Sequence, residues 1–268
     1  MKILKAPWKN DFIELIKNSK TNIRITSPFI KENICNEIVN AKNEETKLKL
    51  ITSFKIKNIY NGSLDINGLE TLINNESIIK NHSNLHAKIY IFDDKLAVIS
   101  SSNLTNGGLL TNYEYGVLLN EKKIVYKIID DFDKLFTDNE IGNITVDNLI
   151  SVRKILNKLP EISTVNIPKF SLHNEIIDDV IEIESNCIIE TLTGWKKEVF
   201  IILNIIDNQF FRLKDVYLYE QYLSNKYPQN NNIKDKIRQQ LQILRDLGLI
   251  EFIGNGKYRK LWKEKKIT

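Results

Sequence analysis

The chain has 268 residues, 42% of them hydrophobic and 27% charged, which predicts a soluble globular protein of one large domain or two ordinary ones. Only 10 Gly and 5 Pro exclude a collagen-like or linker-dominated chain, and two cysteines, Cys35 and Cys187, exclude a disulfide framework. The net charge of +4 is uneven: residues 191–268 hold 15 Lys/Arg against 8 Asp/Glu, or +7, leaving −3 for the remainder.

Pro7, Trp8 and Lys9 interrupt any apolar run at the start, so no secretory signal is expected. Lys9 to Ile16 then has helical spacing. Asn22 to Ser27 reads as a strand, with Ile23 and Ile25 on one face. A helix from Ile30 to Ala41 and a strand from Leu48 to Ser53 follow, and Leu69 to Leu72 reads as a short helix. Ala87 to Phe92 and Leu96 to Ser101 are strands joined by Asp93-Asp94-Lys95, a hairpin pattern. Tyr113 to Leu119 is a further strand. Lys122 to Phe136 is an amphipathic helix, with Val125, Ile128, Ile129, Phe132 and Phe136 near one stripe. This alternation predicts an α/β fold with a mixed sheet.

Pro160 and Pro168 interrupt the next stretch, and Glu175 to Glu184 reads as a helix or a strand on a connector. Beyond it, Lys196 to Asn208, Leu213 to Asn225 and Ile233 to Leu247 read as three helices. The apolar run Val199 to Ile206 is far too short to span a bilayer, and no membrane partner is expected. Gly248 is placed to stop the third helix. Ile250 to Ile253, Gly254-Asn255-Gly256 and Tyr258 to Trp262 form a hairpin by turn chemistry. Three helices and a hairpin make a winged helix-turn-helix. The expected division is therefore a first domain over 1–155, a connector over 156–190 and a winged-helix domain over 191–268.

The stretch that carries chemistry runs from His86 to Asn103. Period-2 geometry puts His86 and Lys88 on one face of a strand, and Ser101 and Asn103 on one face of the next. A hairpin brings these pairs together as an imidazole, an ammonium, a hydroxyl and an amide. That set suits phosphodiester cleavage: a nucleophile or acid, a cation for the non-bridging oxygens and two neutral donors.

His86, Lys88, Asp93, Ser101 and Asn103 resemble the phospholipase D superfamily signature HxK-x4-D-x6-GSxN. Ser100 departs from it, standing where the family has Gly. Neither of the other histidines, His82 and His173, begins an HxK, so the chain carries one half-site. The resemblance implies a homodimer, joined through the catalytic domain, with one composite active site. It implies a mechanism without metal or cofactor: one His86 forms a phosphohistidine while the other protonates the leaving oxygen and then activates water. Glu114 sits where the family places a carboxylate that orients the histidine, although a solvated strand Glu fits equally well. Asp93 falls at the turn, where a structural role is expected.

Trp195, Tyr217, Tyr227-Pro228, Asn230 to Asn232, Lys236 to Gln242, Leu244 to Asp246, Gly248 to Ile250 and Gly256 to Arg259 resemble the C-terminal winged helix of Dam-replacing-type restriction endonucleases. The residues agree. Ile233, Ile237, Leu241, Leu244 and Leu247 form a core stripe, which turns Asp235, Arg238, Gln239, Gln242 and Asp246 outward. Arg and Gln read guanine and adenine edges in the major groove. Asn232, Lys234 and Lys236 lie at the helix start, where a recognition helix meets DNA. Lys257, Arg259 and Lys260 lie on or beside the wing and suit phosphates. The resemblance implies recognition of a GATC-type site carrying N6-methyladenine. Trp195 is then a candidate for the methyl group, with a core position as its plainer reading.

The expectation is a restriction-type endonuclease of the bacterial cytoplasm acting on double-stranded DNA, with room for a partner methyltransferase. Two alternatives stand beside it: another phosphodiesterase of the same superfamily, and a non-enzymatic DNA-binding regulator on a degenerate nuclease domain.

Overall fold

The computed structural model describes residues 1–160, 181–183 and 185–264. They form two compact units, Met1–Phe54 with Gly62–Leu149, and Lys55–Asn61 with Ile150–Thr268.

The elements of the first unit are β1 (Lys2–Lys5), α1 (Lys9–Asn18), β2 (Asn22–Thr26), α2 (Glu32–Ala41), β3 (Lys47–Thr52), then, after the short helix α3 (Ile56–Tyr60) of the second unit, α4 (Ile66–Asn74), β4 (Ile78–Asn81), β5 (Ile89–Phe92), β6 (Leu96–Ser100), β7 (Tyr115–Leu119), α5 (Lys122–Thr137) and β8 (Gly142–Ile144). All eight strands form one mixed sheet in the order β1-β7-β6-β5-β2-β3-β4-β8. β2, β3 and β4 pair in parallel, and the other pairings are antiparallel.

The central strand β5 shows why the sheet is placed as it is. Its alternation sends side chains into two different cores. Ile91 packs with Ala97 of β6, Ile51 of β3 and the α5 stripe Val125, Ile129, Phe132 and Phe136. Tyr90 and Phe92 belong instead to an aromatic cluster with Trp8 and Phe12, in edge-to-face pairs 5.4–6.2 Å apart. Phe12 and Ile16, one helical turn apart on α1, are fully buried. Truncating Phe12 to Ala costs about 3–5 kcal/mol by the usual cavity argument. The edge strands β1 and β8 and the parallel strand β4 are three or four residues long and were not apparent in the sequence pattern.

The second unit contains α6 (Val146–Leu156), which begins at the edge of the first, β9 (Ile181–Ile183), α7 (Ser185–Ile189), α8 (Gly194–Ile205), β10 (Phe210–Arg212), α9 (Leu213–Tyr217), α10 (Glu220–Lys226), α11 (Ile233–Asp246), β11 (Ile250–Gly254), β12 (Lys257–Lys260) and β13 (Trp262–Glu264). The helix expected over Leu213 to Asn225 is two helices, broken at Leu218-Tyr219. Of the acidic stretch Glu175 to Glu184, only β9 lies within the described residues, and Pro168 lies outside them. β9 pairs in parallel with β13. β10, β12 and β11 form a three-stranded antiparallel sheet. Ile233, Ile237, Leu241, Leu244 and Leu247 are buried, as their spacing requires. Gly248 takes φ +71° past the end of α11, and the N–H groups of Gly248 and Leu249 donate to Arg245 O (2.8 Å) and Leu244 O (3.0 Å). Only glycine takes that left-handed conformation without penalty. The turn Gly254-Asn255-Gly256 has positive φ throughout and forms the wing tip.

Candidate active site and DNA-binding surface

The β5–β6 hairpin has two ends with different jobs. At the closed end Asp93 takes φ +50°. Its carboxylate accepts from the backbone N–H groups of Lys20 (3.0 Å), Thr21 (2.8 Å) and Asn22 (3.2 Å) and from the Thr21 hydroxyl (3.0 Å). Burial pushes this carboxyl up, but the four donors outweigh it and hold Asp93 below the ordinary carboxylate range. Asp93 thus ties the turn to the start of β2.

The open end carries the candidate site residues. The expected strand over Ala87 to Phe92 begins only at Ile89, so His86 and Lys88 stand in the extended run before β5. Ser101 and Asn103 stand just past β6, and Glu114 just before β7. The candidate side chains therefore stand on the segments that flank the strands. The ladder still sets their place: Ile89 faces Ile99, and Ser100 N–H donates to Lys88 O (3.1 Å). His86 is exposed and Lys88 buried. The Lys88 ammonium donates to His86 O (2.7 Å) and lies 3.4 Å from both ring nitrogens. Burial pushes the Lys88 ammonium down, and the Glu114 carboxylate opposes that shift.

Ser101 and Glu114 form the second group. The Ser101 hydroxyl donates to Glu114 Oε2, and Asn112 Nδ2 donates to Glu114 Oε1 (3.3 Å). Ser101 Oγ accepts from Tyr115 N–H (3.1 Å), and Ser101 N–H donates to Tyr115 O (2.9 Å). Among the described residues Glu114 makes no hydrogen bond to His86, so its carboxylate is engaged with the Ser101 arm of the site. Asn103 Oδ1 is buried without a partner among the described residues.

The support beneath these groups was missed from the sequence. Ser102, fully buried, accepts from Trp8 Nε1 (3.0 Å), and its carbonyl accepts from Tyr90 OH (2.7 Å). Ser100 Oγ lies 3.0 Å from Ser102 Oγ and 3.0 Å from Tyr115 O, and accepts from Ser102 N–H (3.1 Å). Room for Ser100 comes from Gly116, its partner across the β6–β7 ladder. A Cβ on Gly116 would stand 2.9 Å from both Ser100 Cβ and Oγ. The segment after Asn103 is pinned twice: Ser27 Oγ accepts from Leu104 N–H (2.9 Å), and Gly108 packs where a Cβ would be 2.4 Å from Asn103 O. Ser27, in the Ser27-Pro28-Phe29 segment, also donates to Phe29 O (2.8 Å).

In the second unit, Asn232 precedes α11, while Arg238, Gln239 and Gln242 are exposed along it. Several are already engaged. Arg238 donates to Tyr217 OH (2.7 Å) and pairs with Asp235 (3.0 Å), Lys234 pairs with Glu220 (3.3 Å), and Lys236 donates to Gln239 Oε1 (2.7 Å). Lys257 is exposed, while Arg259 is half-buried with its guanidinium 6.0 Å from the Phe210 ring centre. Lys260 corrects the sequence reading. It is buried, and its ammonium donates to Leu203 O (3.2 Å) and Ile206 O (2.6 Å), closing the end of α8. Trp195 is half-buried and stacks on Tyr227, with ring centres 4.1 Å apart.

Residues 12–136 match the family described as cardiolipin synthase, PLD-like domain, and residues 192–260 match the Dam-replacing HTH domain. The chain thus joins a PLD-like domain to a Dam-replacing helix-turn-helix domain. Among solved structures it is similar to Nuc from Salmonella typhimurium, a phospholipase D family member, at 20% identity over 53% of this chain and 95% of that one (TM-score 0.46). It is also similar to NucT from Helicobacter pylori, at 16% identity over 50% of this chain and 94% of that one (TM-score 0.41). No helix among the described residues is long and apolar enough to cross a membrane.

Proposed function

We propose that this protein is a restriction-type DNA endonuclease that hydrolyses phosphodiesters without metal, at a composite site built by two copies of the chain. The carrying observation is the exposed His86 with the Lys88 ammonium beside it, at the open end of a hairpin, in a chain that also bears a DNA-binding domain. One His86 ring nitrogen attacks phosphorus. The P–N bond forms as the P–O bond to the leaving strand breaks, and the His86 of the second copy gives that oxygen its proton. The same imidazole, now neutral, takes a proton from water, which displaces His86 from phosphorus. Lys88, Ser101 and Asn103 stabilise the charge on the non-bridging oxygens. Glu114 acts as a positioning residue through Ser101.

Asn232, Lys234, Lys236, Arg238, Gln239, Gln242, Lys257 and Arg259 form the duplex-reading surface. Their internal contacts open as DNA replaces Glu220, Asp235 and Tyr217 as partners. A GATC-type site with N6-methyladenine is the specificity the domain favours, with the open recess beside Trp195 and Tyr227 as a place for the methyl group. One composite site cuts two strands in turn, so a nicked intermediate precedes the linear product.

The test uses one plasmid, adenine-methylated or unmethylated at GATC, incubated with the full chain in EDTA. Wild type cuts the methylated form through a nicked species, and His86→Ala binds it without cutting. Cutting of both forms removes the methyl preference and keeps the nuclease. Binding by wild type without cutting, with or without added divalent metal, refutes the endonuclease in favour of a regulator.

A further inference from the structure

The short strand β10 breaks the pattern a solvent-facing strand should follow. Strand alternation sends Phe211 inward, where it is 2% exposed and stacks on Tyr258 at 5.3 Å. Its neighbour Phe210 points outward and is 62% exposed. Ile253, at the wing end of β11, is also 46% exposed. The two rim an open groove of about 530 Å³, whose walls also carry Arg212, Lys214 and Lys257. Packing asks for neither an exposed phenyl ring nor an exposed isoleucine there.

The charge is as uneven as the packing. Among the described residues, none of Arg212, Lys214 and Lys257 forms an ion pair. The groove's one carboxylate, Asp215, accepts from the Arg212 backbone N–H (2.7 Å). The recognition helix differs, because Lys234 and Arg238 already have carboxylate partners. Three cations without an ion pair among the described residues, Arg212, Lys214 and Lys257, therefore stand around one exposed ring. The Arg259 guanidinium lies over that ring at 6.0 Å, which leaves a base free to stack on Phe210 backed by a cation.

We propose that this wing-side groove binds unpaired DNA, with phosphates on Arg212, Lys214 and Lys257 and a base stacked on Phe210. A base inside a duplex hides its faces in the helical stack, so an aromatic platform among cations fits a single strand better than a duplex. The volume suits a nucleotide unit. The site is independent of the phosphodiesterase chemistry, and its test needs no cleavage.

The test is fluorescence anisotropy of the full chain with a labelled oligo-dT of about 12 nucleotides, a length within the usual single-strand site size. A blunt duplex serves as the parallel probe. Phe210→Ala weakens oligo-dT binding about 5- to 150-fold, the range for losing one stacked base, and leaves duplex binding within about twofold. Phe210→Trp retains binding, and an unchanged melting temperature of Phe210→Ala separates a lost contact from a lost fold. Arg212→Gln lowers the slope of log K against log salt for oligo-dT by about 0.7, the value for one phosphate on a single strand. Wild type that ignores oligo-dT, or Phe210→Ala that binds it unchanged, overturns the proposal. Equal loss on both probes overturns it too, by assigning the groove to the duplex. If the plasmid is never cut while Phe210→Ala loses oligo-dT, the endonuclease fails and this site stands.

Discussion

Asp93 belongs to the same sequence pattern as the candidate site residues, yet it sits at the opposite end of the hairpin from His86. Its replacement separates fold from chemistry. Asp93→Asn keeps one side-chain oxygen for the Thr21 and Asn22 donors, tolerates φ +50°, and removes the charge and the second oxygen that faces Lys20. Exchanging charge-assisted bonds for neutral ones in a buried place costs about 1–2 kcal/mol. Asp93→Ala removes every acceptor, strands three backbone donors and adds a left-handed penalty, for about 3–5 kcal/mol. Urea unfolding reads both. The pH dependence has a fixed sign, because the folded pKa lies below the unfolded one. The charge contribution is fully present above the unfolded Asp pKa of about 3.9 and is lost as pH falls through the lower folded value. The gap between wild type and Asp93→Asn therefore closes in acid. If Asp93→Asn kept its urea midpoint while phosphodiester cleavage fell a thousandfold, Asp93 would be part of the chemistry and the structural assignment would be wrong.

Two further substitutions test packing and the correction at Lys260. Gly116→Ala drives a methyl into Ser100 and costs about 1–3 kcal/mol; Ser100→Gly in the same chain recovers part of it, with a coupling above about 0.5 kcal/mol by thermal melting. Simple additivity would deny that the two positions share one space. Lys260→Met leaves Leu203 O and Ile206 O without their donor and destabilises the second unit by about 1–3 kcal/mol for each orphaned carbonyl. At a temperature where the variant is folded, the salt slope of duplex binding stays at the wild-type value; a drop of about 0.9 would put Lys260 on a phosphate after all.

The sequence showed most clearly what depends on periodicity or on a fixed spacing. The α5 and α11 stripes are sharp because each helix has one buried face and one wet one, so the 3.6-residue period survives in the residue types. The hairpin was visible because two apolar runs flank a polar turn, but its ends were not. His86, Lys88, Ser101 and Asn103 lie just beyond the residues that pair in the ladder, and residue types alone do not mark where pairing stops. Lys260 looked like its neighbours Lys257 and Arg259, since a strand of basic residues does not announce which one turns inward to a helix end.

Ser100 shows a different limit. Read along the chain, a serine in the place of a glycine is a loss, because it adds bulk to a crowded strand. Across the ladder the same residue faces a glycine: Gly116, sixteen residues on, lacks the Cβ that would stand 2.9 Å from Ser100 Cβ and Oγ. The hydroxyl gained at Ser100 is then spent on Ser102 N–H and Tyr115 O, the two backbone segments that carry Ser101 and Glu114. A departure from a motif is therefore best judged against the residue that register places opposite it. Here that residue makes the substitution compatible with the site and gives the Ser101 arm an extra tie to the sheet.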